Sequence, residues 1–507
     1  MSKKIISFLL ICCFSLFAES AFALDYFKGT KAMGMGGARV ASTDSTRAQY
    51  YNPAAFGFMG LMEKNRASIN ASKYQKKDSD TEEFVRFDVD NNNLGRKDWG
   101  MGILDFGLRA RILEEEFVDI LQDFEDVFDK EDIEGATEIK SIIRLTDFVN
   151  RAQNLNDKQI LSTDISVNAG NFRTGNFAVG LDFSACTAFK LENFDIDTSA
   201  YSFNQEAKDS LGSVDNVDSS YTIQYLSDAQ KNTLTGTDYN FSDDEVGEID
   251  YLIGDQIREG NVEAGDVNGL VEQLIELTED TGASGTEDAN EIVEGTITAN
   301  TFWVAEFPVS YGYAFNKYLS VGGNFKIMVG EEREDRLIFE EGTDRTEEES
   351  KQSTTFGIDV GVMGRMEKFN FGFMARNLNT PQFDKINSGD IELKPQVCIG
   401  AAFIPFQNLT IEADIDLTEN ESYEGYETQN ISVGAEFDTR LLALRGGIVK
   451  NLSAKQGSGI SYSAGVGLNV WLLRLDFGLS FTQNFVTYDD TDIPEELQIG
   501  LNVEMDF

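Results

Sequence analysis

The last eleven residues, Leu497-Gln498-Ile499-Gly500-Leu501-Asn502-Val503-Glu504-Met505-Asp506-Phe507, alternate apolar and polar side chains without a break. Successive side chains of a strand point to opposite faces, so this segment reads as a strand with one oily and one wet face. At an open sheet edge such a strand invites aggregation, whereas a barrel closes it against the first strand.

The same alternation fills the second half of the chain. Trp303, Ala305, Phe307, Val309, Tyr311, Tyr313 and Phe315 share one phase, Asn316-Lys317 turns, and Leu319, Val321, Phe325, Ile327 and Val329 return on it. Further pairs are Phe356 to Val362 with Phe369 to Ala375, Val397 to Phe403 with Leu409 to Leu417, Ile431 to Phe437 with Leu442 to Ile448, and Tyr462 to Val470 with Leu473 to Phe481. An earlier hairpin turns at Arg173-Thr174-Gly175. Connections alternate between short (near 173–175, 316–318, 366–368, 405–408, 438–440 and 471) and long (190–300, 330–351, 379–392, 419–428, 451–459 and 484–495). Barrels of the bacterial outer membrane place short turns in the periplasm and long loops outside. Counting back from Phe507, fourteen strands stay in phase, the first near Trp99 to Arg109. Residues 66–74 and 84–90 leave open one further hairpin and sixteen strands. A soluble β-sandwich also alternates, but it needs two hydrophobic sheets that cover each other.

At the other end Lys3 and Lys4 precede an apolar run from Ile5 to Phe17, and Ala21-Phe22-Ala23 offers the small residues of a cleavage site before Leu24. Residues 1–23 are expected to be a secretory signal. Ile11 precedes Cys12 where a lipoprotein signal wants a small residue. The remaining cysteines, Cys186 and Cys398, fall on the polar phase of their strands, and a disulfide between them is left open. No other stretch reaches the roughly 18 apolar residues of a membrane-spanning helix. Membrane insertion, if it occurs, is therefore as a barrel.

A formal charge of −45 removes a general nucleic-acid-binding surface, which needs clustered Lys and Arg. It serves solubility, or bridging by divalent cations to lipid phosphates. Two insertions, 110–161 and 190–300, change period. Leu113, Phe117, Ile120, Leu121, Phe124 and Phe128 form one helical face, and Val267, Leu270, Val271, Leu274 and Ile275 another. Each would cap the barrel mouth or receive an apolar ligand. The acidic stretches Ser242 to Glu248 and Thr278 to Glu291 are expected to be partly disordered.

Residues 24–60 are expected to form a plug. Within them, 31–56 read KAMGMGGARVASTDSTRAQYYNPAAF. The Walker lysine is absent and no strand–helix unit follows, so the glycines do not build a phosphate loop. They permit close backbone approach, and Asn52-Pro53 makes a stiff turn. Gly34, Gly36, Gly37, Asp44, Asn52, Pro53 and Ala54 resemble the amino-terminal hatch of the FadL superfamily of outer-membrane proteins. Pro395-Gln396-Val397, the run from Ala413 to Glu421, Ser432 to Phe437, Leu444 to Gly447 and Ser463 to Leu468 are similar to the TraF-like family associated with conjugal transfer. These resemblances imply a hatch inside a fourteen-stranded barrel, and transport of a hydrophobic small molecule or a role in conjugation. The 190–300 insertion matches neither, and the chain has no Cys-x-x-Cys motif for disulfide chemistry.

The sequence contains no histidine, which removes Ser-His catalysis and histidine metal ligands. Asp88-Val89-Asp90-Asn91-Asn92 resembles the start of a calcium loop, but Asn93 replaces the required glycine. On the polar phase, Glu412, Asp414, Asp416, Glu436, Arg445, Arg474 and Asp476 are expected to form a lumenal charge network, either a stiffening lattice or the wall of a polar path. The reading is an all-β, transmembrane antiparallel β-barrel of about fourteen strands with an amino-terminal plug and helical extracellular insertions. It has no catalytic residues, cofactor or metal, and no direct nucleic-acid binding. It would sit in the outer membrane of a Gram-negative-type bacterium, among outer-membrane lipid, with Phe507 as the signal to the barrel-assembly machinery. Its role is transport of a small molecule of hydrophobic character, or alternatively accessory work with transfer or surface-assembly partners.

Overall fold

The computed structural model describes residues 29–60, 99–114, 116–118, 120, 143, 147–148, 151–196, 222–236, 241–259, 262, 267–271, 293–339, 345–406, 408–423, 425–439, 441–453, 459–470, 472–488 and 491–506. Fourteen antiparallel strands close into one barrel. They are β1 (Trp99–Ile112), β2 (Gln159–Thr174), β3 (Phe177–Ile196), β4 (Val293–Ala314), β5 (Leu319–Phe339), β6 (Arg345–Arg365) and β7 (Phe369–Arg376), then β8 (Gln396–Phe406), β9 (Leu409–Asp416), β10 (Asn430–Asp438), β11 (Leu442–Asn451), β12 (Ile460–Val470), β13 (Leu473–Thr482) and β14 (Glu496–Asp506). Closure joins β14 to β1, from Gly100 opposite Asp506 to Arg111 opposite Glu496. The fourteen-strand expectation holds. The alternative hairpin at 66–74 and 84–90, the signal segment 1–23, the Asp88 to Asn92 stretch and Phe507 lie outside the described residues.

The apolar phase faces outward. Phe307 and Val309 are 44% and 46% exposed, while Ser310 between β4's outward residues is 0% exposed. Tyr311, Phe325, Ile327, Phe371, Val433, Leu444 and Phe477 continue the exposed belt around the wall. A contiguous apolar belt on a ladder with no free edge is the surface a bilayer covers. Phe307→Lys or Val309→Lys should therefore cost about 2–4 kcal/mol of folding free energy near the bilayer midplane, less toward either rim. Folding titrations into lipid vesicles measure this, with Glu349→Lys on the exposed start of β6 as the neutral comparison. Equal costs at both places would put the belt on the wrong phase.

Three small hairpins rise from the long-loop rim. One of them, Gln382–Asp384 paired with Asp390–Glu392, folds inward. Its Phe383 is buried against Phe302, with ring centroids 5.4 Å apart, and packs with Val304, Met328, Ile391 and Cys186. Gly330 makes room, since a Cβ there would lie 2.6 Å from the Phe383 ring. An apolar cluster thus lies in the long-loop half of the lumen. Cys398 lies in a different cluster, beside Val40 and Met374, so no disulfide joins it to Cys186. Both are buried thiols, and burial rather than bridging accounts for them.

The insertions carry α-helices at Asp228–Leu234 and Asp243–Glu259. Disorder from Ser242 to Glu248 is corrected: Ser242 Oγ accepts the Glu245 amide at 3.2 Å and Glu245 accepts the Ser242 amide at 2.6 Å. That reciprocal cap, with three acids in the first turn, favours the helix N-terminus. Val267, Leu270 and Val271 pack with Val246, Ile249 and Ile253 into a core of their own. Leu274, Ile275, Leu121, Phe124, Phe128 and the stretch Thr278 to Glu291 lie outside the described residues.

Candidate functional site

Residues 29–60 run inside the barrel, in its short-turn half. They form short helices at Thr30–Met33 and Ala48–Tyr51 and further helical turns over 54–60. A chain this polar in backbone, without a sheet partner, must satisfy its amides from the wall.

Glycines of the wall let it approach. A Cβ at Gly312 would lie 2.8 Å from the Pro53 carbonyl, one at Gly322 2.5 Å from the Ala54 amide, and one at Gly372 2.6 Å from the Val40 carbonyl carbon. One at Gly434 would lie 2.7 Å from the Met35 Cβ, and one at Gly478 3.0 Å from the Thr30 carbonyl. Several of these are paired across neighbouring strands: Gly312 with Gly322, Gly372 with Gly400, Gly434 with Gly447, and Gly465 with Gly478 and, through it, Gly500. They form an interrupted girdle that seats the plug. The plug's own glycines meet it: Gly34 approaches Gly465, and Gly36, at φ +65°, approaches the Ile448 backbone.

Carboxylates then hold the plug backbone. Asp414 Oδ2 accepts the amides of Arg39 and Val40 at 2.7 and 2.9 Å, and Glu412 Oε1 accepts those of Ala41 and Ser42 at 2.6 and 3.2 Å. Hydrogen bonds to ionised acceptors are the strong ones. Asn52 Nδ2 donates to the carbonyls of Val40 and Val362 at 3.0 and 3.1 Å, and its Oδ1 accepts the Ala54 amide at 3.1 Å, bending the chain over Pro53. Ser320 Oγ donates to the Ala54 carbonyl at 2.7 Å. Asp44 pairs with Arg39 at 2.8 Å.

The seven lumenal charges are thus divided. Glu436, Arg445, Arg474 and Asp476 come together: Arg445 pairs with Glu436 and, at 2.9 Å, with Asp476, which Arg474 meets at 3.3 Å. Glu412 and Asp414 clamp the plug instead, and Asp416 Oδ2 accepts the Asn430 amide at 3.0 Å. Arg39 reaches Glu436 at 3.7 Å and ties the plug to the first group.

Several residues not singled out from sequence complete the lock. Lys31 pairs with Glu504 at 3.0 Å, and Lys326 with Asp359 at 3.2 Å and Glu306 at 3.7 Å. Arg47 pairs with Asp105 of β1 at 3.0 Å and Asp182 of β3 at 2.6 Å, spanning β2. Lys326 falls on the polar phase of β5, while Lys31 and Arg47 belong to the plug segment, where the glycines and Asn52-Pro53 carried the motif and the two cations did not stand out.

Arg47 sits over a line of interrupted pairing. Ile103 and Leu104 of β1 have no partner on β2, where the register runs from Gly102–Asn171 to Asp105–Asn168. The β2–β3 register shifts between Asn168 and Asn171, with Gly170 at φ +137°. On β3–β4 it passes from Val179–Val309 to Asp182–Glu306, leaving Gly180, Leu181, Phe307 and Pro308 unpaired with each other. Pro308 has no amide to donate. On the other side β1 shifts against β14 between Gly102 and Leu104. The weak line therefore crosses the wall from β14 to β4 at one level. Asn168 Nδ2 bridges it, donating to Asn171 Oδ1 and Asp182 Oδ1, both at 2.9 Å.

Between plug and mouth cluster lie two cavities that share Tyr50, Arg376 and Gln396. Among the described residues no group of His, Cys, Asp and Glu has the arrangement of a metal site.

The family model described as "F plasmid transfer operon, TraF, protein" matches residues 49–416. No curated protein matches the chain in sequence. Among solved structures, the P. putida toluene transporter TodX is similar at a TM-score of 0.38 and 9% identity, over 96% of this chain and 99% of that one. A Pseudomonas aeruginosa FadL homologue is similar at 0.40 and 8%, over 96% and 100%. The CymD monoaromatic hydrocarbon channel is similar at 0.39 and 10%, over 94% and 97%. The fourteen-strand closure is read from this chain's own pairing and needs none of these likenesses.

Proposed function

The chain belongs to the TraF family of the F plasmid transfer operon, and from that premise we propose that it is an outer-membrane barrel, not an enzyme, that passes a small molecule of hydrophobic character through a plugged lumen. The observation that carries this reading is the weak line in the wall beside a plug held by polar contacts. Such contacts can exchange for others without unfolding the barrel, and unpaired strand segments open at low cost. The molecule would meet the apolar cluster around Phe302 and Phe383 first, then leave sideways near Gly180 and Pro308 as the plug shifts. Residues 1–23 act as the export signal and Phe507 as the mark read by the assembly machinery.

Asn52→Ala with Pro53→Ala is expected to change uptake of a fluorescent fatty-acid analogue into vesicles while the barrel stays heat-modifiable on gels. Unchanged uptake would remove the plug from the path.

The family's own description favours a second reading, an accessory of conjugal transfer that acts by binding a partner. A deletion strain that loses mating efficiency, with a barrel that binds no apolar ligand, would select it over transport.

A further inference from the structure

Within the lumen, the lower of the two cavities is lined by Tyr51, Arg376, Asp414, Asp416, Asn430 and Ser432, a polar wall below the apolar mouth. Arg376 lies with its guanidinium 4.0 Å over the Tyr50 ring, and its Nε has no hydrogen-bond partner. Among the described residues no carboxylate lies within 4.0 Å of it, whereas Lys31, Arg39, Arg47, Lys326, Arg445 and Arg474 are all paired. Tyr51 is 6% exposed and its hydroxyl has no partner. Asp414 uses Oδ2 for the plug amides and leaves Oδ1 without a partner.

Three unused polar groups of opposite character in one cavity ask for a ligand of matching character, because buried polar atoms are costly when unmatched. A simple anion would suit Arg376 and Tyr51 but meet the charges of Asp414 and Asp416. A simple cation would suit the acids and be repelled by Arg376. An apolar group would leave all of them unmatched. We propose that this cavity binds the zwitterionic group of a small molecule, its anionic end on Arg376 and Tyr51 and its ammonium on Asp414 and Asp416. Leu393 belongs both to the mouth cluster and to the upper cavity, so an apolar body can lie above the charged group. The inference rests on the transport reading and names the chemistry of the molecule carried.

Three probes share one apolar body and differ in charge: phenylalanine, 3-phenylpropanoate and phenethylammonium. Titration calorimetry on the full barrel in lipid nanodiscs should show saturable binding of phenylalanine, with each singly charged probe weaker by about tenfold or more, the loss of one hydrogen bond to a charged group. Tyr51→Phe, which keeps the ring packing, should weaken phenylalanine by about tenfold on the same ground, and Arg376→Gln by more. Glu349→Gln, on the exposed start of β6 and away from both cavities, should leave affinity unchanged. Equal affinity for phenylalanine and 3-phenylpropanoate, no saturable binding of phenylalanine, or indifference to both Tyr51→Phe and Arg376→Gln would overturn the proposal. Uptake of the fatty-acid analogue without phenylalanine binding would leave transport standing and remove this site alone. Phenylalanine binding without any permeation would do the reverse.

Discussion

Alanine at both Glu412 and Asp414 should release residues 39–42 from the wall while the fourteen strands stay closed. The two carboxylates accept four plug amides, those of Arg39, Val40, Ala41 and Ser42. A hydrogen bond to a charged group contributes about 1.5–3 kcal/mol, and a buried amide left without an acceptor costs a similar amount. Among the described residues the four amides hydrogen-bond to these two carboxylates and to no other wall group, so losing both removes four bonds at once. The barrel ladder uses none of these four bonds, because β8, β9 and β10 pair through their own backbone. Limited proteolysis of the folded, heat-modifiable protein should then cut within 29–60 in the variant and spare it in the native chain. Protection that survives both substitutions would mean that the glycine girdle alone holds the plug.

Arg47→Met is expected to cost about 3–5 kcal/mol, the usual penalty for removing one partner from a buried ion pair. Here two carboxylates lose the same cation. Asp105 keeps the Thr30 amide at 3.2 Å and hydroxyl at 2.9 Å, and Asp182 keeps Asn168, but neither retains the cation that offset its burial. The consequence should be local as well as global, since Arg47 ties β1 to β3 across the weak line. Hydrogen exchange in nanodiscs should quicken at Ile103, Leu104, Gly180 and Leu181 while β11–β12 amides remain protected. Arg47→Lys should recover part of the stability, having charge without the two-pronged geometry. Uniform quickening around the whole barrel would assign Arg47 to bulk stability and not to the wall opening.

The apolar stretches of the strands were readable from period 2, whereas 330–351, expected to be a long loop, is mostly strand, because β5 runs on to Phe339 and β6 starts at Arg345 as a polar ladder with no alternation to mark it. Phe307, Val309 and Tyr311 carry the outward phase, and the short turn at 316–318 fixes the return. The plug was readable as a motif but its attachment was not. Glu412 and Asp414 look like ordinary members of an acidic strand, and their role comes from amides of a segment 370 or more positions away. The glycine girdle is likewise invisible along the chain, where its members look like any other strand glycine. Only the register places Gly312 beside Gly322 and Gly478 beside Gly500. Ser242 and Glu245 did carry a signal, a Ser-x-x-Glu cap, which the local acidity masked. The weak line also left marks in sequence, Pro308 within a strand and Gly170 and Gly180 in its neighbours. Their alignment into one level is a property of the closed sheet.

Single-barrel conductance in planar bilayers tests most directly whether the plug closes this lumen. The native chain should show no steady conductance, and the Glu412→Ala, Asp414→Ala variant should show a stable open level at the same applied potential. Equal conductance of the two, whether both open or both silent, would contradict a lumen that the plug alone keeps shut.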